Sequence, residues 1–166
     1  MPELQLAEEY LKELHDEATA TRKCLERIPM TLSDYKPHEK SMALGYLALL
    51  VAEMPNWITY IIEKGEIDFG TFTHYQPATT EDLVKHFEDN MQGARKALKG
   101  ITNEQLQESF ALKNKGQLLF SSSKKVNVSS TIRHWVHHRG QLTVYMRLNN
   151  IAVPSIYGPS ADEKTF

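Results

Sequence analysis

The sequence predicts an all-α protein, an antiparallel four-helix bundle with a small hairpin or irregular insert between helices 3 and 4. Three observations carry this expectation. Apolar residues recur at helical spacing in four long stretches. The connections between them are short to medium and are punctuated by Pro29, Pro37, Gly65, Pro77 and Gly100. Only around Asn114-Lys115-Gly116 does the apolar period change to that of strands. No internal repeat, low-complexity tract or linker divides the chain, so residues 1–166 read as a single domain with a sizeable core.

Composition removes several classes of function. Hydrophobic residues make up 41% and charged residues 24%, the balance of a soluble globular protein. A net charge of −2, with no basic patch or base-stacking motif, argues against nucleic-acid binding. No apolar run approaches the roughly 20 residues of a membrane span. The start, MPELQLAEEYLKEL, lacks the apolar core of a secretory signal. Cys24 is the single cysteine, which excludes an internal disulfide and fits a reducing, cytoplasmic setting.

Residues 3–27 read as the first helix, with Leu4, Ala7, Leu11, Leu14, Ala18, Thr21 and Leu25 forming a bundle seam that Pro29 ends. Cys24 beside that seam reads as a buried, inert thiol, and His15 as a solvated or capping residue. A polar connection over 30–40 leads to a second helix from about His38 to Lys64. Its centre is apolar on nearly every face, which makes it the most buried helix, with a kink expected between Val51 and Pro55. Gly45 fits either a close helix approach or a plain surface position. Glu53 is the one charge in the apolar run: if buried, it needs a hydrogen-bonding or cationic partner, or a metal.

The loop GEIDFGTFTHYQPAT has His74 and Tyr75 as its functional candidates, although a plain surface loop is the simpler reading. Thr80, Glu81 and Asp82 start a third helix whose apolar face is Leu83, Phe87, Met91, Ala94 and Leu98, closed by Gly100. A small hairpin then turns at Gly116, where a positive φ is expected. Ser129 or Ser130 caps the last helix, Thr131–Leu148, whose apolar arc is Ile132, Trp135, Leu142, Tyr145 and Met146. The tail after Asn150 is expected to run extended over the surface. Trp57 and Trp135 are most simply core aromatics.

His134 and His138 are four apart at the edge of that arc, so they share one helix face as half of a metal site. HWVHHRGQLTVYMRL followed by VPSIYGPSADE, together with PHEKSMALGYLALLVAEMPNW, resembles the DinB-like superfamily of damage-inducible-type four-helix bundles. The resemblance spans most of the chain. It implies a divalent metal held by three histidines, one from the second helix and two from an H-x3-H in the last. The last-helix pair maps onto His134 and His138, with His137 between them. Where the second-helix histidine would stand, this sequence has Leu50, which has no lone pair to give. Glu53, three residues on, is the candidate third ligand or general base, since a two-histidine, one-carboxylate set suits zinc, nickel or manganese. His38 lies too far upstream, and His74 remains an alternative.

Arg139, inside the apolar arc, calls for a carboxylate; Glu53 is one candidate, and Gln141 can join the same network. Two functions follow from the resemblance. One is a metal-dependent hydrolase or thiol transferase working in a degenerate pocket, with a thiol or other small molecule as ligand. The other is a non-catalytic small-molecule- or metal-binding stress protein. The family also implies a homodimer. The chain has no nucleophile elbow, P-loop, C-x-x-C pair or dinucleotide fingerprint to support other chemistries.

Overall fold

The computed structural model describes residues 6–165. Leu4 of the expected seam lies outside the described residues. Four long helices form a bundle: α1 (Leu6–Leu25), α2 (Leu44–Thr59), α3 (Thr80–Lys99) and, after the short α4 (Asn103–Gln107), α5 (Lys124–Leu148). A three-stranded sheet of β1 (Glu66–Asp68), β2 (Ser109–Asn114) and β3 (Gln117–Ser123) is inserted before α5. α2 packs mainly on α3 and α5, and α1 packs on the same two helices from the opposite side. The core is therefore shared among all four helices, with Leu14, Leu47, Ile58, Phe87, Trp135 and Leu142 buried in it.

α2 is apolar all round and ten of its sixteen residues are buried, as a helix enclosed by two neighbours must be. It begins at Leu44 rather than His38. The physical reason is local: the carbonyls of Ser33 and Tyr35 accept the Gly45 and Leu44 amides, so the connection itself satisfies the first-turn donors. That close approach requires Gly45, because a Cβ there would lie 2.8 Å from Ser33 Cβ. The glycine thus admits the α1–α2 connection rather than a neighbouring helix. With Pro55 inside it, α2 runs on without interruption to Thr59. Its geometry changes one turn later, where Tyr60–Lys64 wind as a π-helical turn closed by Gly65 in the left-handed region (φ 70°).

α3 carries its expected apolar face, Leu83, Phe87, Met91, Ala94 and Leu98, all buried. Its N-cap is Thr79 rather than Thr80: the Thr79 hydroxyl accepts the Asp82 amide at 3.1 Å, and the Asp82 carboxylate accepts the Thr79 amide at 3.0 Å. Thr80 instead holds the segment that follows α1, donating to the Ile28 carbonyl at 2.7 Å.

The hairpin turns at Lys115 (φ 49°) and Gly116 (φ 77°), both left-handed, which matches the twist of the flanking strands. A third strand, β1, pairs parallel with β2 in the register Ile67 to Leu112. Asp68 fastens this edge, accepting amides from Gly70, Lys115 and Gly116 at 2.7, 2.8 and 2.7 Å. α5 starts at Lys124, seven residues before the expected Thr131. Ser123 ends β3 in extended geometry and begins the helix, and Asn127 Nδ2 folds back onto the Ser122 Oγ and the Ser123 carbonyl. Strand thus passes into helix with no loop between them.

Candidate functional site

α5 presents the predicted apolar arc, with Ile132, Trp135, Leu142, Tyr145 and Met146 buried. His138, at the edge of that arc, is buried, and His134 one turn earlier is the more exposed of the two, with part of its ring screened from water. Their rings lie with centroids 4.4 Å apart and planes tilted 38° to one another. His138 Nδ1 lies 2.8 Å from Gln141 Oε1. When the amide oxygen accepts from Nδ1, the Nε2 lone pair is left free. Partial burial, then the neighbouring His138 and His137, push the His134 pKa below its usual value.

The second-helix residues do not complete a ligand set around this pair. Leu50 is half-buried. Glu53 is buried, and its carboxylate is engaged by the loop before α3: Oε2 lies 2.6 Å from His74 Nδ1 and Oε1 accepts the Tyr75 amide at 2.8 Å. His86 Nε2 on α3 lies a further 3.4 Å from Oε1. Among the described residues, no three His, Cys, Asp or Glu side chains are grouped so as to hold a metal ion. The donor set present therefore does not fit the three-ligand centre that the family resemblance implies.

Arg139 is 2% exposed and is paired with Glu17 of α1 rather than with Glu53, Nη2 lying 2.5 Å from Glu17 Oε2. Its guanidinium also donates to the Thr21 hydroxyl at 3.1 Å, the Glu17 carbonyl at 3.2 Å and the Tyr157 hydroxyl at 2.8 Å. Tyr157 in turn donates to Glu17 at 2.9 Å, so the network fastens the C-terminal tail to α1 and α5. This corrects the candidate Arg139–Glu53 lock: the partner comes from a helix on the far side of the core. Gln141 serves His138 and takes no part in the Arg139 network.

A cavity of about 280 Å³ lies between α2, the sheet and α5. Trp57, Phe69, Phe110 and Phe120 give it aromatic walls, and Asn127, Ser130, Thr131 and His134 of α5 form its polar side. Trp57 is therefore half-buried in a cavity wall rather than a plain core aromatic, with Phe69 and Phe72 at centroid distances of 5.7 and 6.0 Å. The aromatic residues of the insert were legible in the sequence only as strand formers. Their convergence on Trp57 depends on the parallel pairing of β1 with β2.

This bundle, with its small sheet ahead of the last helix, is a DinB-like architecture, and the chain belongs to the DinB family, which it matches over residues 1–165. It is similar in structure to a DinB-like protein, YjoA, of Bacillus subtilis. That likeness has TM-score 0.69 and 18% identity, covering 95% of this chain and 99% of the other. A DinB-like protein from Bacillus cereus is similar to the same degree, with TM-score 0.69 and 21% identity over 90% and 97% of the two chains. At these identities the likeness speaks to the fold. A short stretch of 32 residues is 56% identical to the uncharacterized protein YrdA of Bacillus subtilis, spanning 19% of this chain and 19% of that relative's length.

Proposed function

We propose that this chain is a small-molecule-binding member of the DinB family, its ligand seated between α2, the insert and α5. The observation that carries this reading is the cavity itself: four aromatic side chains among its lining, with the His134 imidazole among its polar groups. Pockets that bind small organic ligands share this composition, an apolar body with a few directed polar contacts. A ligand with an aromatic or aliphatic body and one hydrogen-bonding group matches it. Leu50 and the Glu53–His74 pairing support the same reading, since each removes a donor from the metal centre.

A second reading keeps His134 and His138 as ligands for zinc, nickel or manganese, in a metal-dependent hydrolase or thiol transferase. The Gln141 contact favours it, because a partner on Nδ1 is how a ligating histidine is oriented. The homodimer that the family resemblance implies belongs to the proposal and is checked by light scattering in solution.

The two readings separate in one set of measurements on the purified, untagged protein. Small phenols and aromatic carboxylates are titrated while the Trp57 Nε1–H resonance is followed by NMR, and bound metal is measured by elemental mass spectrometry. Saturable movement of the Trp57 signal, weakened by His134→Ala, is expected. If no compound moves that signal, and stoichiometric metal is retained but lost in His134→Ala/His138→Ala, the metal reading replaces the first.

A further inference from the structure

A separate cavity of about 330 Å³ opens between the α1–α2 connection, the start of α2 and the loop before α3. His74 lies on its wall with its ring fixed on three sides. Glu53 holds Nδ1 at 2.6 Å, and Tyr46 and Phe72 meet the ring edge-on at centroid distances of 5.6 and 5.1 Å. The carboxylate is oriented in its turn by the Tyr75 amide at 2.8 Å. Its side chain is 3% exposed and that of His74 32% exposed, so the imidazole bridges from a buried acid to the open cavity. His74 Nε2 makes no hydrogen bond to another described residue.

We propose that Glu53 and His74 form an acid–base site in this cavity, one that takes a small uncharged ester and water. Glu53 is the positioning residue: by accepting a hydrogen bond from Nδ1–H it selects the tautomer that leaves the Nε2 lone pair free. His74 is the catalytic residue. The Ser33 hydroxyl is donated to the Met30 carbonyl, so water rather than serine is the nucleophile. Nε2 takes a proton from that water as its oxygen bonds to the acyl carbon. The carbon–oxygen bond to the leaving alcohol then breaks, and the imidazolium returns its proton to the departing alkoxide. Tyr46, which lines the same cavity, supplies in this proposal the hydroxyl donor for the developing oxyanion. The substrate class follows from the lining. Among the described residues no lysine or arginine lines the cavity to bind a phosphoryl group, Asp34 repels anions, and Leu49 and Pro77 supply apolar surface.

The test uses the full-length protein with p-nitrophenyl acetate as the probe. Saturable hydrolysis is expected, falling by roughly 100-fold or more in His74→Asn, with the exposed His15→Ala unchanged. Glu53→Gln should lower kcat with little change in KM, and Glu53→Asp should recover part of the loss. Long-range proton–nitrogen NMR supplies a readout independent of turnover: His74 should carry its proton on Nδ1 in the wild type and shift to Nε2 in Glu53→Gln. Hydrolysis that persists in a folded His74→Asn protein would overturn the proposal. So would a wild-type His74 protonated on Nε2, and this second result decides the matter even if the Glu53 variants fail to fold.

Discussion

Replacing Arg139 tests the architecture most directly, because its guanidinium is the most deeply buried charge on the long α5 helix. In Arg139→Met the side chain keeps most of its apolar volume, so packing loss is small and the effect is electrostatic. The change removes the contact with Glu17 and the donations to Thr21, the Glu17 carbonyl and Tyr157. Breaking a buried pair from one side costs about 3–5 kcal/mol, chiefly because the other charge is left uncompensated. Glu17 keeps 16% of its side chain exposed, so water relieves part of that penalty. The expected loss is therefore about 3 kcal/mol, the lower end of that range. For a domain of this size it lowers the melting temperature by about 6–12 °C. Urea denaturation followed by circular dichroism measures it, and the midpoint should shift without change in slope. A double-mutant cycle with Glu17→Gln should give coupling above about 1 kcal/mol, whereas a cycle with Glu53→Gln should be additive. A loss below about 1 kcal/mol, or coupling to Glu53 instead of Glu17, would refute the assignment of this network.

Three further outcomes are expected. Because His134 has its pKa pushed below the usual value near 6.5, its neutral form is favoured by the fold. Its contribution is full above that value and is lost as pH falls through the folded-state pKa. NMR titration of the His134 ring should give a midpoint below that of an unfolded-state reference, and a midpoint above it would contradict the burial argument. Gly45→Ala places a methyl 2.8 Å from Ser33 Cβ and should cost about 1–3 kcal/mol; a neutral result in urea denaturation would mean that the connection moves aside freely. Cys24 is fully buried, and burial pushes its thiol up to about 11, so a thiol-specific chromogenic reagent should react only at the rate of unfolding.

The sequence by itself determined the bundle. Heptad-like seams in α1 and α3, an α2 apolar on every face and the Trp135–Met146 arc of α5 each specify which surface must leave water, and burial follows that pattern. Gly116 announced a left-handed turn because it has no side chain to oppose one. Helix starts were less legible: the capping carbonyls of α2 belong to Ser33 and Tyr35, and α5 begins inside what reads as a strand-to-loop segment. The same limit applied to the candidate site. His134 and His138 share a face because helix periodicity puts them there, a local property that four residues contain. The partners of Glu53 and Arg139 are not local. Both side chains announced that a buried charge needed compensation, but His74 is 21 residues from Glu53, and Glu17 precedes Arg139 by most of the chain. Tertiary structure alone decided which groups met, because a buried charge specifies the chemistry of its partner and not its address. The aromatic cavity likewise exists only once β1 lies parallel to β2 and brings the insert against Trp57.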